Sequence, residues 1–143
     1  MKINKRGLDI IKSCEGCKLT AYKCPAGVVT IGYGHTGGVQ MGDTITQKQA
    51  NDLLKLDVEI YENYVNRINK IFQYDFNRNE FSALVSFTYN CGYNNLLQLV
   101  KNGLRTKDEI ANAIPLYNKA GGKVLNGLVT RRNMEKDLFM KGV

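Results

Sequence analysis

The chain has 143 residues, 43% hydrophobic and 23% charged, with 20 lysines and arginines against 13 acidic residues for a formal charge of +7. A chain of this size hides roughly 68% of its unfolded surface on folding, so one domain needs neither metal nor disulfide to hold it, and the composition excludes the disordered and collagen-like classes. The positive balance favours polyanions such as nucleic acid, lipid headgroups or wall polymers; the basic residues are dispersed apart from Arg131 and Arg132 and carry no helix-turn-helix, RNP or zinc-finger pattern, so nucleic acid is not the expected partner.

The first twelve residues, M-K-I-N-K-R-G-L-D-I-I-K, interrupt their apolar positions with charges. They lack the apolar run of about 7 to 15 residues of a secretion signal, and no window approaches the ~18 apolar residues of a membrane span. The expectation is a protein made in the cytoplasm with no stable membrane anchoring. Leu8, Ile10, Ile11 and Cys14 recur at helical spacing, which predicts a helix from Asn4 to Cys14 that Gly16 stops. Leu19 to Lys23 and Val28 to Tyr33 are β-prone runs around Cys24-Pro25-Ala26-Gly27, which reads as a hairpin. The glycines of G-Y-G-H-T-G-G, residues 32 to 38, suit a third irregular strand or a turn at the sheet's end. They form no phosphate loop, because the Lys-Ser/Thr and the following helix are missing.

Thr46 and Gln49 make a capping box, and Ala50, Leu53, Leu54, Asp57, Val58, Tyr61, Tyr64, Val65 and Ile68 keep a helical period behind it with one polar exception, Asp57. One long helix to Ile68 or beyond is expected, long enough to connect two lobes. Asn77 to Glu80 starts a helix with Phe81, Leu84, Val85 and Thr88 on its face, and Thr106 to Glu109 makes a second capping box. Pro115 predicts a break near Ile114, and a last helix runs from about Leu125 to Met140 after the flexible Gly121-Gly122. The class is α+β, mainly helical: a small N-terminal sheet, a long connecting helix and an all-α C-terminal lobe, in one domain spanning 1–143. A cleft between such lobes is a favoured place for an elongated substrate.

The chemistry rests on few residues. Cys14-x-x-Cys17 lacks the second ligand pair of a zinc site and the βαβ context of a dithiol site, so no metal or cofactor is expected. Four cysteines permit three pairings, and a cytosolic chain more often keeps its thiols reduced. Glu15 stands where the first helix gives way to the hairpin; partial burial there would raise its pKa towards that of a general acid, whereas a lone Glu at a helix end is ordinarily solvated. His35 reads as a hydrogen-bonded structural residue beneath the sheet or as a proton shuttle. Arg131 and Arg132 read as one solvated residue and one in an ion pair, and Cys91 as a small buried hydrophobe.

Glu15 is followed by eight residues, Cys24, five residues and Thr30. The stretch E-G-C-K-L-T-A-Y-K-C-P-A-G-V-V-T-I-G-Y-G-H-T closely resembles the catalytic segment of phage-type lysozymes of glycoside hydrolase family 24, the endolysins of the phage T4 type. F-S-A-L-V-S-F-T-Y-N-C-G, residues 81 to 92, is similar to the family's core helix, and G-L-V-T-R-R-N-M-E, residues 127 to 135, to its C-terminal helix. The resemblance implies a two-lobed lysozyme-like fold and hydrolysis of the β-1,4 bond between N-acetylmuramic acid and N-acetylglucosamine in bacterial peptidoglycan, without metal or cofactor. It implies Glu15 as the catalytic acid, Thr30 as the residue that positions the attacking water, and Cys24 at a place usually held by Asp. A Cys there is ordinarily a neutral thiol at neutral pH where an Asp is ionised, so its role as thiolate towards water or as nucleophile stays open. The implied setting is a monomer in the host cytoplasm, released to the wall or periplasm by a separate holin-type pore. The alternatives are a glycosidase acting on chitin, a transglycosylase, and a catalytically impaired basic wall-binding protein of the same fold.

Overall fold

The computed structural model describes residues 1–142. The chain divides into two compact units, Lys12–Glu59 on one side and Met1–Ile11 with Ile60–Val143 on the other. Helix α1, Lys5–Glu15, begins where the Asn4 side chain accepts from Gly7 N–H at 3.0 Å, and it ends at Gly16, whose φ of 70° only glycine adopts without strain.

In the first unit, β1 (Lys18–Lys23) and β2 (Val29–Gly32) pair antiparallel, with Tyr22 opposite Thr30 and Lys23 opposite Val29. Pro25 and Ala26 make the turn, and Gly27 closes it at φ 82° with its N–H on the Cys24 carbonyl at 2.8 Å. The glycine run after β2 is a turn, not a third strand: Ile31 and His35 exchange two backbone hydrogen bonds at 2.9 Å across Gly32 and Gly34, both at positive φ. The further edge comes from Asp43 to Ile45 instead, where Ala21 N–H reaches the Asp43 carbonyl and Ile45 N–H the Leu19 carbonyl, each at 2.9 Å. The Thr46–Gln49 capping box then starts α2, Gln47–Asp57, which packs on β2 so closely that the Ala50 Cβ would lie 3.6 Å from a Cβ added at Gly32. Ala21, Ile31, Ala50, Leu54 and Val58 are the unit's buried apolar residues, and burying each large side chain contributes about 1.5–3 kcal/mol.

The expected long helix is two. α3, Glu59–Ile71, follows α2 after a single turn residue, Val58, whose N–H is shared between the carbonyls of Leu54 and Leu56. No glycine or proline marks that point, so periodicity runs through it unbroken.

The second unit is built on α4, Arg78–Cys91, capped by the reciprocal Asn77–Glu80 box. Its residues from Asn79 to Thr88 are all buried, so the helix has no solvent face along that run. α5 (Tyr93–Leu99) and α6 (Lys107–Ala113) follow, α6 behind the Thr106–Glu109 box, and the break expected near Ile114 is a 3₁₀ turn over Ile114–Leu116 that takes up Pro115. Two-residue strands β3 (Lys119–Ala120) and β4 (Lys123–Val124) form a small hairpin that sequence reading passed over, with Gly121 and Gly122 both at positive φ as a tight hairpin turn demands. α7, Asn126–Met140, packs along α4.

Between α4 and α7 lies a buried charge cluster. Both Arg131 and Arg132 are buried, at 3% and 0% exposure, so neither is the solvated partner the sequence implied. Glu135 meets Arg131 Nε at 3.3 Å and Arg132 Nε at 2.8 Å, the latter an ion pair too bent for a linear hydrogen bond, and accepts the Ser86 hydroxyl. The Arg132 guanidinium stands over the Phe87 ring and donates to Asn90 Oδ1 at 2.7 Å and to Cys91 Sγ. Cys91 is thus half-buried against a cation, not a plain apolar filler.

Candidate active site

The hairpin turn assembles the site around Cys24. Cys24 follows the last residue of β1, and its own N–H pairs with the Val28 carbonyl at 3.0 Å, which folds the turn back over its side chain. The backbone N–H groups of Val28 and then Ala26 hold the Cys24 thiol below its ordinary value, with the Thr30 hydroxyl and Gly27 N–H adding to them against a smaller opposing effect of desolvation. Successive backbone donors directed at one sulfur in this way favour its ionised form.

Thr30 is the buried half of that arrangement, at 3% exposure. Its hydroxyl donates to the Val28 carbonyl at 2.9 Å, and the same group faces Cys24. A hydroxyl has one proton and two lone pairs. When that proton serves the carbonyl or the sulfur, the oxygen still accepts from a third group such as a bound water.

Glu15 is the last residue of α1 and lies in the same compact unit, separated from the start of β1 by Gly16 and Cys17. It is solvent-exposed, as a Glu at a helix end ordinarily is, and not partly buried: the helix stops there and the chain turns away through Gly16. The structure therefore joins Cys24 and Thr30 directly and sets Glu15 at the entrance to the same hairpin.

His35 takes the structural role. Its Nδ1 lies 2.9 Å from Asp57 Oδ2 and its Nε2 2.9 Å from the Gly37 carbonyl, which ties the turn after β2 to the end of α2. Asp57 is the polar exception in the apolar stripe of α2, and this pairing accounts for it. The backbone donors around Cys24 were missed in the sequence because no side chain advertises them; the Pro25-Ala26-Gly27 turn was the signal. Tyr22 carries the Lys18 ammonium over its ring, and Tyr33 accepts from Gln47 Nε2 at 3.0 Å. All four cysteines are free thiols, Cys14 exposed and Cys17 pointing to Gln47 Oε1 at 3.9 Å. Among the described residues no three His, Cys, Asp or Glu side chains converge on a point that could hold a metal, and no helix is long and apolar enough to cross a membrane.

The chain matches the profile of the phage lysozyme family over residues 12–135. It is 43% identical to an endolysin of Lactococcus phage c2 over 147 residues, which is 100% of this chain and 62% of that protein, so it spans less than two thirds of that relative. It is 33% identical to an endolysin of Salmonella phage P22, over 98% of this chain and 99% of that one. The crystal structure of the active form of the P1 phage endolysin Lyz superimposes with a TM-score of 0.86 at 30% identity, over 98% of this chain and 85% of that one.

Proposed function

The chain belongs to the phage lysozyme family, and on that premise we propose that residues 1–143 are a single catalytic domain of an endolysin that cleaves the β-1,4 bond between N-acetylmuramic acid and N-acetylglucosamine in bacterial peptidoglycan. The observation that carries the reading is the hairpin around Cys24. A thiol in the place of a carboxylate is useful to a glycosidase only if it ionises, and the N–H groups of Val28 and Ala26 favour that ionisation.

In this mechanism Glu15 protonates the glycosidic oxygen as the bond breaks and positive charge gathers on the sugar ring. The Cys24 thiolate then acts on the opposite side, either taking a proton from a water held by Thr30 or attacking the anomeric carbon itself. The first course inverts the configuration of the new reducing end and the second, with its covalent intermediate, retains it. The enzyme works as a monomer, is made in the host cytoplasm and reaches the wall when a separate holin-type pore opens. The endolysins among its relatives support the substrate and the setting.

The test is the release of new reducing ends from purified sacculi by the parent and by Glu15→Gln. Release by the parent alone supports a hydrolase with Glu15 as its acid, and a product without a reducing end would mark a transglycosylase. Binding with no release by either protein under reducing conditions would overturn the reading in favour of a wall-binding protein.

A further inference from the structure

Thr30 stands near the end of β2, with only Ile31 between it and Gly32, the last residue of the strand. Beyond that end the chain reverses, and Ile31 and His35 close the turn by exchanging both of their backbone hydrogen bonds at 2.9 Å. His35 is therefore the main-chain partner of the residue next to Thr30. Its side chain ties the same turn to α2: Nδ1 lies 3.0 and 2.9 Å from the two carboxylate oxygens of Asp57, and Nε2 2.9 Å from the Gly37 carbonyl. Both side chains are largely shielded from solvent, so water competes weakly for these contacts.

At the start of β2 the Val28 carbonyl accepts twice, from Thr30 Oγ at 2.9 Å and from the Cys24 N–H at 3.0 Å. One oxygen thus sets the Thr30 hydroxyl against the Cys24 turn. Thr30 and Ile31 are both buried, so their side chains follow the backbone and cannot correct for a shift of it. A slide or tilt of β2 at its Ile31 end moves the Thr30 hydroxyl relative to the Cys24 sulfur. A displacement of about 1 Å at a reacting group can cost roughly 100-fold in rate.

We propose that His35 is a positioning residue of the hydrolytic site: held by Asp57 and Gly37, it fixes Ile31 through the backbone and so sets where the Thr30 hydroxyl stands relative to Cys24. It acts through Thr30 and not on the sugar. The proposal rests on the reading of Thr30 as the residue that holds the attacking water. A His35 that served stability alone would leave the turnover of the folded protein as it was, whereas a positioning residue lowers kcat and leaves KM in place.

The experiment measures kcat and KM on soluble peptidoglycan fragments for the full chain, His35→Ala, Thr30→Ala and the double variant, at a temperature where circular dichroism shows each to be folded. The expected result is a kcat about tenfold lower in His35→Ala with KM within about twofold, and no further loss when His35→Ala is added to Thr30→Ala. Glu109→Gln, which weakens a helix cap in the other unit, should leave kcat unchanged. If His35→Ala does not fold, Asp57→Asn takes its place, with the same pattern at a smaller loss. Independently of turnover, the NMR methyl signal of Thr30 should shift in Asp57→Asn while that of Thr106, at the cap of α6, stays where it is. An unchanged kcat, a loss carried by KM, the same loss with and without Thr30, an equal fall with Glu109→Gln, or a Thr30 methyl that does not move would overturn the assignment. An inactive parent would count against the hydrolase reading instead, and the methyl signals would still decide whether His35 sets Thr30.

Discussion

Asp57, the one charged side chain on the apolar stripe of α2, holds Nδ1 of His35 at 2.9 Å while the Gly37 carbonyl faces Nε2 at the same distance. Both ring nitrogens therefore face oxygen acceptors, which fixes the orientation of the ring. Replacing Asp57 by Asn removes the charge and keeps an oxygen in place. The expected cost is about 1 kcal/mol or somewhat more, read from urea midpoints, with a double-mutant cycle against His35→Ala returning a coupling of similar size. Simple additivity of the two substitutions would show that the contact contributes nothing.

Cys24 and Cys91 are pushed in opposite directions. Backbone donors, Val28 first, lower the Cys24 thiol, whereas burial raises that of Cys91 more than the nearby Arg132 lowers it. At neutral pH iodoacetamide should therefore label Cys24 well before Cys91, as peptide mapping would record. Activity that depends on the thiolate should rise with pH through the Cys24 value and fall away below it. Cys24→Asp should keep activity and carry the acid limb to lower pH, while Cys24→Ala should lose about 100-fold or more in kcat/KM.

Glu135 is buried to 0% exposure between two arginines, and its removal strands both charges in the core of the second unit. Glu135→Ala should cost about 3–5 kcal/mol in urea unfolding. Exchanging the whole set at once, Arg131, Arg132 and Glu135 for apolar residues of similar volume, should cost much less, because no unpaired charge is left behind.

Glu109 offers a pH test of a helix cap. The Thr106 backbone N–H, followed by its hydroxyl, holds the Glu109 carboxyl below its usual range. A carboxyl with a lower value folded than unfolded adds stability above its unfolded value and loses it as pH falls through the folded one. The parent should therefore have a higher Tm than Glu109→Gln at about pH 6, and the gap should close towards about pH 3.

Much of this was legible in the residues. The capping boxes read at Thr46 and Thr106 and the helix start read at Asn77, which also carries a box, were legible because the two hydrogen bonds are local and depend on four consecutive residues. The hairpin was equally plain from Pro25 and Gly27. Harder to read were features set by distant partners. The burial of both Arg131 and Arg132 depends on Glu135 and Phe87 together, and the edge formed by Asp43 to Ile45 is made of backbone bonds that side chains do not encode. Of the site itself, the family resemblance implied the three residues, and only the fold shows that Glu15 is exposed and that main-chain donors surround Cys24.

The enclosure of α4 on every side also bears on how the molecule breathes. An amide in the middle of that helix can reach deuterated solvent only when the helices around it come apart, so its exchange rate reports the opening of the whole unit. The amides of Ala26 and Gly27, in an exposed turn, exchange through much smaller openings. One isotope-exchange experiment thus separates loosening of the Cys24 turn from loss of the fold, and a substitution that quickens the first while leaving α4 slow has altered the site alone.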